Sequence, residues 1–385
     1  MRPSIFKHRT VISLLIVFAS WTASFAAPFP GVPAPPRLNA SSFILVDFDT
    51  GSVLAEHNAN ERVEPASLTK IMTSYVAAEA LASGAIAIDD TTTVSEKAWR
   101  MGGSKMFIEV NKQVTVDELL QGIVVQSGND ASVAIAEYIS GSEDVFSAVM
   151  NQHADSMGLD NSSFANSTGL PDPGTFTTAS DMATLARGFI RDYPDIYRRF
   201  SVKEYTYAGI KQPNRNRLLF RDPSVDGFKT GHTQAAGYCL VSSAKRADMR
   251  LIAVVMGTSS DKARTEASQS LLNYGFRFFE TRKIYAEQDV VAAAKIWKGA
   301  ESTVDVGVDA DLFVTVPRSK FSDVKAAAEF NESISAPVEP GQPIGQLVLR
   351  LEDKVLSSVP LVAKRAVAKG SIFSRALDEV KMRLE

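Results

Sequence analysis

An internal disulfide is excluded, because the 385 residues contain a single cysteine, Cys239. Its setting, YCLVSS, is apolar and β-prone, which predicts a buried strand position and not a reactive thiol. Histidine is also scarce, with four in the whole chain. No His-Glu-x-x-His or paired-cysteine spacing is present to hold zinc, so the sequence implies neither a metal nor another cofactor. Nor is there a Gly-x-Ser-x-Gly elbow, so serine–histidine chemistry has no local signature. The net charge is only −3 and no basic stripe is visible, which argues against a nucleic-acid partner.

Long hydrophobic runs are lacking as well. The most apolar stretch, VISLLIVFA, is about nine residues, well short of the ~20 that span a bilayer. With the basic MRPSIFKHR before it and SFA after it, it predicts a secretory signal peptide over residues 1–26, cut after Ala26. The proline-rich APFPGVPAPPR that follows, residues 27–37, is expected to be an extended, uncommitted spacer.

What remains has ordinary globular composition, 45% hydrophobic and 22% charged, and enough length for two folded domains. SFILVDFDTGSVLAE places two β-rich runs around Asp-Thr-Gly and predicts a hairpin. From Leu68, apolar residues at Ile71, Met72, Tyr75 and Val76 follow helical spacing, with Pro65 just ahead. VDELLQGIVVQ and DASVAIAEYIS predict helices broken by Ser127-Gly-Asn129. Between about 205 and 257 strands are expected in EYTYAGI, RLLF, FKT, GYCLVSSAK and RLIAVVMG, with a kink at Asp226-Gly227 and a short hairpin link from Arg246 to Met249. ARTEASQSLLNYGFRFFE predicts a closing helix. These patterns imply an α/β domain over 38–283, and the short β-rich pieces after it a smaller all-β domain over 284–366.

Residues 370–385 end in SIFSRALDEVKMRLE, which lines up Ile372, Phe373, Ala376, Leu377, Val380 and Leu384 as one apolar helical face. At ~1.5 Å per residue this helix is too short to cross a membrane. It suits either the membrane interface or docking on its own domain, and its balanced charges weaken the first option.

The chemistry begins at PASLTK. Ser67 and Lys70 lie three apart, on one face of a helix, where a hydroxyl and an amine can meet. Alone this says little, since Ser-x-x-Lys recurs at Ser4/Lys7, Ser242/Lys245, Ser259/Lys262 and Ser322/Lys325, and Ser67 could simply cap a helix. A lysine serves as base only if its pKa falls far below ~10.4, which burial and a second cation would both favour. Lys229, in DGFKTGHT, offers such a cation. Ser-x-Asn occurs once, at Ser127 and Asn129, and Lys-Thr-Gly once, at Lys229, Thr230 and Gly231. Each alone reads as a polar turn or a strand end.

The ordered set Ser-x-x-Lys, Ser-x-Asn, Lys-Thr-Gly is the signature shared by penicillin-binding proteins and class A β-lactamases. Together with GIVVQSGNDASVA, QPNRNRLLF, VDGFKTGHTQAAGY and LNYGFRFFE, it makes the chain resemble the low-molecular-mass penicillin-binding proteins that are serine-type D-alanyl-D-alanine carboxypeptidases of the S11 type. The resemblance implies a penicillin-recognising fold, an antiparallel sheet flanked by helices, followed by the β-domain and an amphipathic tail helix. It implies removal of the terminal D-alanine from peptidoglycan stem peptides, with a part in cell-wall remodelling and cell shape. By the same resemblance Ser67 is the nucleophile, Lys70 its proton acceptor and Ser127 the proton carrier. Asn129 positions neighbouring groups, Lys229 tunes Lys70 and Ser127, and the backbone N–H groups of Ser67 and His232 form the oxyanion hole. Thr230, Gly231, Thr233, Arg215 and Arg264 bind the substrate, its carboxylate falling to Thr233 and Arg264 with Arg215 nearby and the choice of arginine open. β-Lactams would be covalent inhibitors, and the protein would be exported to the periplasm and held by its tail on the outer face of the cytoplasmic membrane.

Three other functions compete. A class A β-lactamase would carry Glu-x-x-Leu-Asn between the second and third motifs, and no such segment lies between Asn129 and Lys229. A non-catalytic peptidoglycan-binding protein would bind penicillin without turning peptide over. Transpeptidation or endopeptidase cleavage would keep the chemistry and change the acceptor or the bond.

Overall fold

The computed structural model describes residues 31–382. The expected signal peptide and Arg383, Leu384 and Glu385 of the tail lie outside these residues. Two strands, β1 (Ser42–Asp47) and β2 (Val53–His57), form the hairpin around Asp-Thr-Gly. Three later strands, β3 (Val225–Thr233), β4 (Gly237–Arg246) and β5 (Met249–Thr258), complete an antiparallel sheet in the order β2-β1-β5-β4-β3. RLIAVVMG is continuously apolar because β5 is the middle strand, buried on both faces. At the other extreme β3 is an edge strand, so its outer side is free to face the turn that carries Ser67.

Helix α1 (Lys70–Ala82) follows one 3₁₀ turn, Ala66–Thr69. The sequence suggests a one-sided stripe, yet Lys70, Thr73, Ser74 and Ala77 are buried too. A helix buried all round is a central pillar; after α2 (Val116–Gln121) in the chain come the helices it packs among, α3 (Asn129–Ser140), the helix Glu143–Ser156 and α4 (Ala179–Asp192). Between α2 and α3 the expected continuous helix gives way to one π turn, Gly122–Gln126. Ser127 then takes a left-handed backbone, φ 62°, uncommon for a residue with a side chain.

Helix α5 (Asp261–Phe278) covers the other sheet face and leads into a pair of strands, β6 (Phe279–Tyr285) with β9. The strands that follow in the C-terminal part are β7 (Ala292–Lys295), β8 (Thr303–Gly307), β9 (Leu312–Pro317), β10 (Val324–Phe330), β11 (Pro343–Leu351) and β12 (Lys354–Ala363). Of these, five form a sheet in the order β7-β8-β12-β11-β10. Its apolar residues join the catalytic sheet's in one cluster running from Leu45 and Leu251 through Phe279 to Val314 and Val316. Buried Asp47 adds a polar tie, accepting from the Thr281 hydroxyl at 2.5 Å.

Two expectations need correction, and one left open is sharpened. RLLF is not a strand: Leu218–Arg221 is a short helix, started by the Asn216 side chain, which accepts from Leu218 N at 3.1 Å. The described part of the proline-rich spacer is docked, not uncommitted, with Pro35 buried and the Tyr274 hydroxyl donating to Pro33 O at 2.9 Å. The tail helix α6 (Ile372–Met382) does touch its own domain, but by its acidic side. Lys298 N donates to Asp378 at 2.7 Å and Lys298 Nζ pairs with Glu379. Its apolar face is turned outward, with Ile372 80% and Phe373 88% exposed.

Candidate active site

Ser67 sits on the 3₁₀ turn, half-buried, with its hydroxyl accepting from Lys70 Nζ at 3.1 Å. The preceding residue, Ala66, has φ 48°, an uncommon backbone that the surroundings must hold. Two glycines do so by close approach. A Cβ on Gly231 of β3 would stand 2.9 Å from the Pro65 carbonyl, and one on Gly169 would stand 1.8 Å from Ala66 O. The edge strand and the 166–170 loop thus clamp the nucleophile turn from two sides.

Lys70 is fully buried and donates two further bonds, to Asn129 Oδ1 at 2.7 Å and Thr168 O at 2.6 Å. Burial pushes its pKa from 10.5 down to about 7, and the nearby Arg215 charge adds to this, while Asp130 and Glu143 oppose it. Lys229 donates to Ser127 Oγ at 2.8 Å and to Thr230 O at 3.0 Å. Its pKa is pushed well down too, by burial and then by Lys70, Arg215 and Arg264. Sequence reasoning makes Lys229 the cation that depresses Lys70; in the structure Arg215 takes that part, and Lys70 in turn helps to depress Lys229.

Ser67, Ser127, Thr230, Gly231, His232, Arg215 and Arg264 line one cavity of about 580 Å³. Lys70, Asn129 and Lys229 stand behind it, buried and bonded to its serines or to one another. Asn129 is spent on positioning: Oδ1 holds Lys70, and Nδ2 donates to Gly102 O at 2.7 Å. Arg215 projects from a loop pinned by buried neighbours. Asn214 donates to Val202 O at 2.9 Å and Asn216 to Gly227 O at 3.1 Å. Among the described residues Arg215 itself uses only Nε, on Gln126 O at 3.1 Å, which leaves its outer fork available.

Thr233 departs from the expectation. Its hydroxyl donates to Glu64 at 3.0 Å and accepts from Ala236 N at 2.9 Å, and it does not line the cavity. The following residues, in a turn that leads into β4, draw it away. The His232 ring lies against the Tyr238 ring, 4.0 Å between centroids. Arg264 lines the cavity but spends Nε and Nη2 on Asp261 and Nη1 on Gly231 O.

Sequence reasoning missed three supports. Asp130 accepts from the N–H groups of Met106 and Phe107, at 3.0 and 2.8 Å, and so fixes the loop that carries Gly102. Thr168 O, the third acceptor of Lys70, is held by the adjoining Ser167, whose N and Oγ donate to Glu143 Oε1. Asp261 is the third. Backbone acceptors carry no residue-type signal, and an acid beside a motif looks like any helix-start acid.

A half-buried serine on a buried lysine, a second serine–lysine pair beside it and an edge strand along the turn together define the kind of site that transfers acyl groups through serine. The sequence model described as D-alanyl-D-alanine carboxypeptidase matches residues 31–260, and that of the penicillin-binding protein 5 C-terminal domain matches 279–369. The chain belongs to the D-alanyl-D-alanine carboxypeptidase family. It is 39% identical to D-alanyl-D-alanine carboxypeptidase DacA of Escherichia coli K12, over 98% of each chain. Penicillin-binding protein 5 from Haemophilus influenzae has a similar structure, TM-score 0.84 and 42% identity, over 88% of this chain and all of that one. Penicillin-binding protein D2 from Listeria monocytogenes, in an ampicillin-bound form, matches at TM-score 0.59 and 26% identity, over 63% of this chain and all of that one.

Proposed function

We propose that this carboxypeptidase removes the terminal D-alanine from peptidoglycan stem peptides through an acyl-enzyme on Ser67. One observation carries the reading: the Ser67 hydroxyl is 3.1 Å from a buried lysine whose pKa has fallen to about 7. Neutral Lys70 takes the Ser67 proton as Oγ attacks the carbonyl between the two D-alanines. The oxyanion that forms is met by the backbone N–H groups of Ser67 and His232. Ser127, bonded to Lys229, passes a proton to the leaving amine, and D-alanine departs. Water then attacks the ester, activated by Lys70 or by Ser127, and frees Ser67. Asn129 holds Lys70 in place throughout.

The leaving residue's carboxylate calls for a forked cation. Arg215, with its outer fork available, and Arg264 are the two candidates, and both line the cavity together with Thr230 and Gly231. β-Lactams would acylate Ser67 and stay there. Glu143, the buried acid nearest in role to a deacylating base, is engaged by Ser167 and by Lys97 at 2.8 Å. The Listeria relative's ampicillin-bound form agrees with β-lactams as ligands.

No helix among the described residues is long and apolar enough to cross a membrane. We place the protein in the periplasm after export, with the outward apolar face of α6 resting on the cytoplasmic membrane. The domain boundaries at 38–283 and 284–366 go with this reading, the second domain setting the active site off from the lipid.

The test is D-alanine release from a soluble peptide ending in Lys-D-Ala-D-Ala, with Ser67→Ala and an L-Ala-terminated peptide as controls. Stereospecific release that vanishes in the mutant is expected. A folded protein that binds penicillin covalently but releases no D-alanine would redirect the chemistry to another peptidoglycan bond or to a binding role.

A further inference from the structure

Asp261, at the start of α5, sits inside the cavity with its carboxylate between two arginines. Oδ1 accepts from Arg264 Nε at 3.0 Å and Nη2 at 2.6 Å, and Oδ2 pairs with Arg217. On its other side Arg264 Nη1 donates to Gly231 O at 3.0 Å. A guanidinium offers five N–H donors in a flat fork. Here both edges of the fork already have a partner, and one of those partners is itself a carboxylate.

The two arginines are not equivalent. Arg264 is buried, at 8% exposure, whereas Arg217 is 64% exposed and Asp261 24%. An acid that only braced Arg264 would need neither a second cation nor access to the cleft. Asp261 has both, so it can give up the buried guanidinium and keep a charged partner. We infer that Asp261 is a specificity-determining residue, a resident carboxylate that competes with the substrate's C-terminal carboxylate for Arg264. Substrate reaches that guanidinium only by moving Asp261 onto Arg217. The cleft therefore holds an anionic end less tightly than its three arginines suggest. This rests on the reading that the leaving residue's carboxylate lies at the arginine end of the cleft.

The experiment compares two peptides, one ending in D-Ala-D-Ala with a free carboxylate and one with that terminus amidated. It uses the wild type, Asp261→Asn, which keeps shape and an acceptor but loses the charge, and Arg217→Ala, with thermal melting to confirm folding. In Asp261→Asn the acid-to-amide ratio of kcat/KM should rise about threefold or more, mainly through KM for the acid. In Arg217→Ala, where Asp261 has no second partner, the ratio should fall. A clear wild-type preference for the acid with an unchanged or lower ratio in Asp261→Asn overturns the competition and leaves Asp261 as a brace. A ratio near one in both enzymes removes the carboxylate reading itself, and the inference with it.

Discussion

Lys229 Nζ donates to Ser127 Oγ at 2.8 Å, so the third sequence motif meets the second across 102 residues. Ser127 is presented for this by its left-handed backbone at the end of the π turn, a distortion that recurs at functional sites. The bond orients the Ser127 hydroxyl, and the buried amine controls its readiness to move a proton. Lys229→Gln keeps a donor of similar reach and removes the titratable group. We expect β-lactam acylation and peptide turnover both to fall by about 10²-fold or more, the scale of a lost acid–base group. Stopped-flow acylation with a reporter β-lactam measures it; an unchanged rate would make Lys229 a structural residue.

On the proposed mechanism Lys70 sets the pH dependence. A base must be unprotonated, so acylation should rise with pH and level off above about 7, the value to which burial and Arg215 bring this lysine. Replacing the Arg215 charge, as in Arg215→Gln, removes a lowering influence and should move that limb to higher pH. The same shift acts on stability. Between about 7 and 10.5 the unfolded chain holds a proton at this lysine that the folded one has lost. The Lys70 contribution to stability therefore rises with pH across that window and is least favourable below about 7. A rate profile whose lower limb lies near pH 5 would show that another group is the base.

The nucleophile turn depends on a position with no chemistry of its own. Gly169 has φ 74°, and a Cβ there would fall 1.8 Å from Ala66 O and 2.6 Å from Thr69 Oγ1. None of these neighbours can retreat, because Ala66 already holds a strained backbone and Thr69 begins the turn into α1. Gly169→Ala should cost about 2 kcal/mol or more in stability. Because the displaced atoms adjoin Ser67, acylation should slow in the fraction that still folds. Calorimetry with penicillin labelling reads both, and a native melting point would mean the loop relaxes outward.

How much of this was legible beforehand depends on where the information sits. That Ser67, Lys70, Ser127, Asn129 and Lys229 would come together was readable because each motif is a short local pattern and their order is distinctive. The hairpin at Asp-Thr-Gly and the run of β5 were readable from alternation and burial. RLLF was not, since its β-prone letters are overruled by one side chain, Asn216, that starts a helix. Thr233 was misplaced because the sequence cannot say which way a strand end turns. The roles of Thr168 O and Asp261 were invisible for a different reason. They arise from distant segments brought together, and neither residue type announces it.

The tail gives the last prediction. Its charges look balanced in sequence, but Asp378 and Glu379 are both engaged by Lys298. Arg375 and Lys381 are left on the surface of the helix, together with the outward apolar residues Ile372, Phe373, Leu377 and Val380. Docking by the acidic side thus turns a neutral amphipathic helix into one whose free groups suit an anionic lipid surface. Deleting residues 370–385 should move the protein from the membrane to the soluble fraction without changing turnover of a soluble peptide. Phe373→Asp should weaken binding to anionic vesicles while the helix stays docked, because Phe373 is 88% exposed. Lys298→Glu should loosen the docking itself by repelling Asp378 and Glu379. Sedimentation with vesicles separates the cases, and full membrane partitioning after the deletion would place the attachment elsewhere in the chain.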